Sequence, residues 1–197
     1  MTGDENVNSG DSDTYIVSIE ATDDLGPFSS SWSVNGGSIS GSPSDDGLQS
    51  TALIVWGAEG SGSVNVTITS ASDTFDGVDK SITKNVAIAA TFAERVANAD
   101  VSVAVTVVDN GGNKYYIDGV EQAEITANAQ QTIHFDLSDS SLSGHPLKVY
   151  TDSTKTTEVT VGIDQQGTDL LFTPPIAGSF SYQCANHANM GGDITVS

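Results

Sequence analysis

The segment FSYQCANHANMGG places Cys184, His187 and Met190 within seven residues of one another. The chain has one cysteine, three histidines and two methionines, and one of those methionines is Met1, so one short loop gathers its scarcest donors. A thiolate and two imidazoles with a weak axial thioether form a soft donor set that accommodates both Cu(I) and Cu(II). The second imidazole must come from elsewhere. His145 in SDSSLSGHPL fits, because it directly precedes a strand-like run and lies 39 residues before Cys184. The same Cys and two His with a fourth ligand also suit zinc, and supply and geometry then decide which metal is held. A loop without metal uses these residues equally well: Cys184 as a small buried side chain, the histidines in hydrogen bonds, Met190 in packing.

Such a site needs rigid strand ends to position it, and the sequence supplies strands almost throughout. Short apolar runs alternate with Gly, Asn, Asp and Ser turns, which is the pattern of an all-β chain. In the first half, TYIVSIEA puts Tyr15, Val17 and Ile19 on one face. SSSWSVNGG follows with Trp32 and Val34, STALIVWG with Leu53, Val55 and Trp56, GSVNVTITS with Val64, Val66 and Ile68, and KSITKNVAIA with Ile82, Val86 and Ile88. NGG, SPSDDG, GAEGSG and SDTFDG between them are turn chemistry. In the second half, VSVAVTVVD, NKYYIDGV, AEITA, QQTIHFDLS, HPLKVYTD, TEVTVGI, TDLLFTP, GSFSYQC and GDITVS are expected to be strands. Ile133, Phe135 and Leu137 share a face, which sends His134 to the opposite, solvent or loop-covered side.

The expected architecture is two tandem antiparallel β-sandwiches. Residues 1–11 are expected to be a flexible acidic segment, 12–91 the first sandwich, 92–99 a linker holding the one helical turn, and 100–197 the second sandwich. The 197 residues suffice for two cores of about 100 residues each.

With 6 basic and 26 acidic residues the formal net charge is −20, which disfavours nucleic acid and anionic membrane surfaces as partners. The acids are spread evenly, 13 before residue 92 and 13 after it. That distribution reads as a solvated, self-repelling surface. A single cysteine excludes an internal disulfide. The opening MTGDENVNSGDSDTY has no basic n-region or apolar h-region, so no signal peptide is expected, and no run reaches the length of a membrane span.

Residues 12–90, through SWSVNGG and VWGAEGSGSVNVT, resemble the PKD and immunoglobulin-like modules of adhesins and viral structural proteins. Residues 98–197 resemble a cupredoxin domain: a Greek-key sandwich with an early His and a late Y-x-C-x-x-H-x-x-M loop, whose spacing is similar to the short ligand loop of amicyanin. The resemblance implies a type I copper site of His145, Cys184, His187 and Met190. YYIDGV, IHFDLSDSSLSGHPLKVYTD and YQCANHANMGGDITV further resemble cupredoxin-like segments of marine bacteriophage (cyanophage-type) structural proteins. That likeness implies a virion component, for capsid decoration or tail and fibre association, assembled in the host cytoplasm beside other virion proteins and copies of itself. The alternatives are a soluble blue-copper electron carrier and a cell-surface adhesin fragment.

Nothing in the spacing forms a Ser-His-Asp set, a phosphate cradle or paired catalytic carboxylates, and no enzyme is expected. Asp73, Asp76 and Asp79, and separately Asp45 and Asp46, are oxygen-rich turns without the calcium-loop spacing, and are expected to be solvated. Ala185, Ala188, Pro146 and Leu147 could form a small apolar patch beside the histidines, though a loop packed on its own sandwich is the expectation.

Overall fold

Period-two alternation of apolar side chains builds strands along most of the chain, and the strands assort into two separate cores. A computed structural model describes residues 1–18, 28–46, 49–70, 80–154 and 156–197. The chain divides into two compact units, Met1–Thr91 and Phe92–Ser197. Both are β-sandwiches, and the protein is all-β apart from short helical turns.

The first unit contains β1 (Asn6–Asn8), β2 (Ser12–Ser18), β3 (Phe28–Asn35), β4 (Gly37–Asp46), β5 (Gln49–Trp56), β6 (Gly60–Ser70) and β7 (Lys80–Ala89). One sheet has the order β1-β7-β6-β3 and the other β2-β5-β4. Tyr15, Val17, Trp32, Ile54, Trp56, Val64, Val66, Ile68, Val86 and Ile88 close the core between them. Tyr15 and Trp56 meet edge to face with centroids 5.9 Å apart, the arrangement that aromatic quadrupoles prefer.

Four sequence expectations change here. Residues 1–11 are not a loose segment: β1 pairs in parallel with β7 and buries Val7. In β5 the buried set is Ala52, Ile54 and Trp56, while Leu53 is 41% exposed. Both phases of that strand are apolar, so alternation could not choose between them; burying the bulk of Trp56 does. Ile82 likewise lies on the outer face, 40% exposed. SPSDDG is strand rather than turn up to Asp46, because β4 continues through a register shift between Ser40 and Ser44, and Asp45 accepts hydrogen bonds from the Ser30 hydroxyl and amide at 2.6 and 3.3 Å. Ile19, Asp73, Asp76 and Asp79 lie outside the described residues.

The second unit begins with α1 (Phe92–Ala97), so the expected linker belongs to this unit, and its Arg95 guanidinium pairs with the Asp164 carboxylate. Its strands are β8 (Val101–Asp109), β9 (Asn113–Ile117), β10 (Val120–Glu121), β11 (Ile125–Ala127), β12 (Ile133–Asp136), β13 (Leu147–Tyr150), β14 (Ile163–Gln166), β15 (Asp169–Phe172), β16 (Gly178–Cys184) and β17 (Gly191–Val196). They form a six-stranded sheet, β10-β9-β8-β12-β15-β14, and a four-stranded sheet, β11-β17-β16-β13. Most pairs are antiparallel, but β1 with β7, β8 with β12 and β11 with β17 run parallel. Val105, Tyr115, Ile133, Phe135, Leu170 and Phe172 from the larger sheet pack against Leu147, Val149, Tyr182, Cys184, Ile194 and Val196 from the smaller one. Burial of each large apolar side chain contributes about 1.5–3 kcal/mol.

Candidate metal centre

The four-stranded sheet explains how residues far apart in sequence meet. β13 and β16 are antiparallel neighbours with Leu147 opposite Cys184, which brings the segment before β13 beside the segment after β16. The Ala185 amide donates to the Pro146 carbonyl at 2.9 Å, and the Asn186 side-chain amide donates to the Gly144 carbonyl at 2.9 Å. Those two bonds fasten the loops carrying His145 and His187 to each other.

His145 sits just past a 3-10 turn, Ser140–Leu142, capped by the Asp139 carboxylate, which accepts from the Ser141 amide at 2.9 Å. Its own amide donates to the Leu142 carbonyl at 2.8 Å, and its carbonyl accepts from the Tyr115 hydroxyl at 2.8 Å. The Asn113 side chain lies 3.3 Å from its Nε2. Nδ1 therefore faces the other donors. An outer hydrogen bond on the second ring nitrogen is what fixes ring orientation at metal-binding histidines.

Cys184 ends β16 with no solvent exposure, and its amide donates to the Met190 carbonyl at 2.8 Å. The chain turns back at Asn189, which adopts φ +56°, a left-handed conformation that Asn tolerates better than most residues. The Asn189 carbonyl accepts from the Lys114 ammonium at 2.7 Å and from the Gln122 side-chain amide at 3.2 Å. Gln122 also donates to the Gly191 carbonyl. Gly191 must lack a side chain, since a Cβ there would lie 2.1 Å from the Tyr182 carbonyl oxygen.

Three of the four expected ligands converge. His145 Nδ1 and His187 Nδ1 are 3.1 Å apart, Cys184 Sγ is 3.3 Å from His187 Nδ1, and Cys184 Sγ is 4.0 Å from His145 Nδ1. One ion can span such separations with bonds of about 2.0–2.3 Å. Met190 is tied to the cluster through its backbone and is fully buried in the core beside Cys184. Burial, then the adjacent Cys184, pushes the Tyr115 hydroxyl well above the ordinary phenol range. His187 is exposed and Cys184 buried, so the thiol is sheltered while one imidazole meets solvent. Of the expected apolar patch, Ala185, Ala188 and Pro146 are exposed but Leu147 is core.

His134 departs from expectation. It is buried on the outer face of the six-stranded sheet, with Nδ1 2.9 Å from the Ser102 hydroxyl and Nε2 2.8 Å from an Asp169 oxygen. The spacing gave no hint of this Ser-His-Asp row, because parallel pairing of β8 with β12 sets His134 opposite Ser102 and antiparallel pairing of β12 with β15 brings up Asp169. It engages both ring nitrogens and crosslinks three strands. Lys114, Gln122 and Asn113 were also missed by sequence reasoning, since their contacts bridge 75, 67 and 32 residues.

No protein-family model matches the chain, and no curated protein matches it. Among solved structures, reduced rusticyanin is similar over 49% of this chain and 79% of its own, with 17% identity and a TM-score of 0.35. Rusticyanin from Thiobacillus ferrooxidans is similar over 49% and 77%, with 16% identity and a TM-score of 0.32. The I9-I11 tandem of titin is similar over 97% of this chain and 61% of its own, with 9% identity and a TM-score of 0.29.

Proposed function

We propose that the second unit is a mononuclear copper-binding module with His145, Cys184 and His187 as ligands and Met190 as the weak axial donor. The convergence of two imidazole Nδ1 atoms and a buried cysteine sulfur at one end of a sandwich carries this reading. A thiolate with two imidazoles selects a soft or borderline ion, and a weakly held fourth position suits copper in both oxidation states. Bound copper would supply one-electron exchange at this position.

The residues divide the remaining work. Cys184, within the core, is screened from oxidants and from other thiols. Asn113 and the Tyr115 hydroxyl hold His145 in place, while Lys114 and Gln122 pin the loop behind His187 and Met190. His187, exposed, is the ligand that an electron-exchange partner can approach. The proposed role is carriage of an electron, with the first unit as an adaptor, and not turnover of a substrate. The virion expectation remains with the sequence resemblance alone; neither the sheets nor the similar solved structures support it.

X-ray absorption on protein loaded with copper and, separately, with zinc tests the reading. One sulfur and two nitrogen neighbours around copper, with copper displacing zinc, are expected. Zinc resisting displacement, or copper without a sulfur neighbour, contradicts it.

A further inference from the structure

Val161 and Ile176 are the most exposed large apolar residues among those described, at 69% and 68%. A single exposed apolar side chain is ordinary on a protein surface, but these two border the same cavity, of about 260 Å³, in the second unit. Residues 157–162, part of the expected TEVTVGI strand, form one wall of it as a strap between the two sheets. The Val159 amide donates to the Val149 carbonyl of β13 at 2.8 Å, and the Thr173 amide, just past β15, donates to the Gly162 carbonyl at 2.8 Å. The turn before β16, with Pro175 and Ile176, supplies another wall.

Burial grades the lining from mouth to floor. Phe172 has no solvent exposure and Phe180 is partly buried against the same core. Their rings meet edge to face, with centroids 5.2 Å apart and planes at 75°. Glu158, the charged residue of the lining among those described, is paired with Lys148 at 3.0 Å, and Thr151 and Thr160 are the other polar residues there. An apolar cavity of about 150 Å³ lined by aliphatic and phenyl groups takes up benzene, and drug-sized pockets begin at about 300 Å³. The volume here therefore suits one or two rings. An edge-to-face phenyl pair offers a third ring the same face and edge contacts, which the aromatic quadrupole favours.

We propose that this cavity binds an uncharged aromatic small molecule of one or two rings, which rests on Phe172 and Phe180 and covers the side chains of Val161 and Ile176. The net charge of −20 disfavours both a carboxylate-bearing ligand and a second copy of the chain as occupant. The site does not depend on the metal reading, because His145, Cys184, His187 and Met190 do not line it.

Methyl carbon-proton NMR of the full chain, without metal, tests it with indole, benzyl alcohol, cyclohexylmethanol, benzoate and a capped Ala-Trp-Ala peptide. Saturable shifts of the Val161 and Ile176 methyls with indole and benzyl alcohol are expected, with cyclohexylmethanol, benzoate and the peptide each at least about threefold weaker than indole. Val161→Asp, read at the Ile176 methyls, and Ile176→Asp, read at the Val161 methyls, should each weaken indole binding at least about tenfold. Both positions are exposed, so the amide spectrum should show an intact fold. Val120→Asp, at an exposed position that does not line the cavity, should leave binding unchanged. Absence of saturable shifts, an equal response to cyclohexylmethanol or benzoate, or indole binding that survives both cavity substitutions overturns the proposal. Binding of the peptide as tight as that of indole or tighter also overturns it, in favour of an aromatic side chain of a protein partner.

Discussion

The Nδ1 atoms of His145 and His187 lie 3.1 Å apart although 42 residues separate them in the chain. Antiparallel pairing of β13 with β16 produces the approach, and the Ala185 to Pro146 and Asn186 to Gly144 bonds hold it. The two rings have centroids 4.5 Å apart and are tilted by 36°. An arrangement fixed by backbone and amide bonds before metal arrives is a preorganised site.

Cys184→Ser keeps the size of the side chain but removes the soft donor. The account expects a folded second unit with copper affinity lowered at least about a hundredfold and no thiolate-to-copper absorption. Near-ultraviolet circular dichroism and competition with a copper chelator measure the two effects separately.

Gln122→Ala removes the donor to the Asn189 and Gly191 carbonyls. Copper affinity should fall about tenfold or more, within the range for outer-shell partners at metal sites. Lys114→Met, which removes one of the two donors to the Asn189 carbonyl and leaves the Gly191 contact in place, should have the smaller effect. Chelator competition on both variants ranks them.

Gly191→Ala places a methyl group 2.1 Å from the Tyr182 carbonyl oxygen and 2.8 Å from Gln183 Cα. Both are backbone atoms, so β16 and β17 must separate locally. A loss of about 1–3 kcal/mol, the usual cost of overpacking, is expected in urea denaturation of the second unit.

Asp152 holds Thr154 and Thr156 to its carboxylate. Its carboxylate accepts from the Thr154 amide and hydroxyl and, at 3.2 Å, from the Thr156 amide. The hydrogen bonds from Thr154 and Thr156 hold its pKa down to about 2. Because the folded value lies below the ordinary value of 3.8, its contribution is complete above that value and is lost as pH falls toward the lowered one. The amide signals of Thr154 and Thr156 should therefore keep their positions from neutral pH to about pH 4 and shift below it, and Asp152→Asn should abolish that transition.

Much of this was legible in the sequence because it is local. Val64, Val66 and Ile68 follow period two with only one apolar phase, and Cys184 and His187 share one loop. What was not legible depends on pairing between distant strands. Leu53 and Ile54 are equally apolar, so only the packing of Trp56 sets the face of β5. Asn6–Asn8 is too short and polar to read as a strand until β7 is beside it. His134 alternates away from the core as expected, yet is buried because Ser102 and Asp169 flank it from neighbouring strands. The supports of the site, Lys114 in β9 and Gln122 just after β10, carry no motif and come from the other sheet.

The most direct test is to load the purified full chain with Cu(II), remove the excess, and record the visible spectrum with the bound-metal stoichiometry. An intense thiolate-to-copper band with one copper per chain, lost in Cys184→Ser, is the predicted result. A colourless protein that retains no copper would contradict the proposal that His145, Cys184 and His187 form a metal centre.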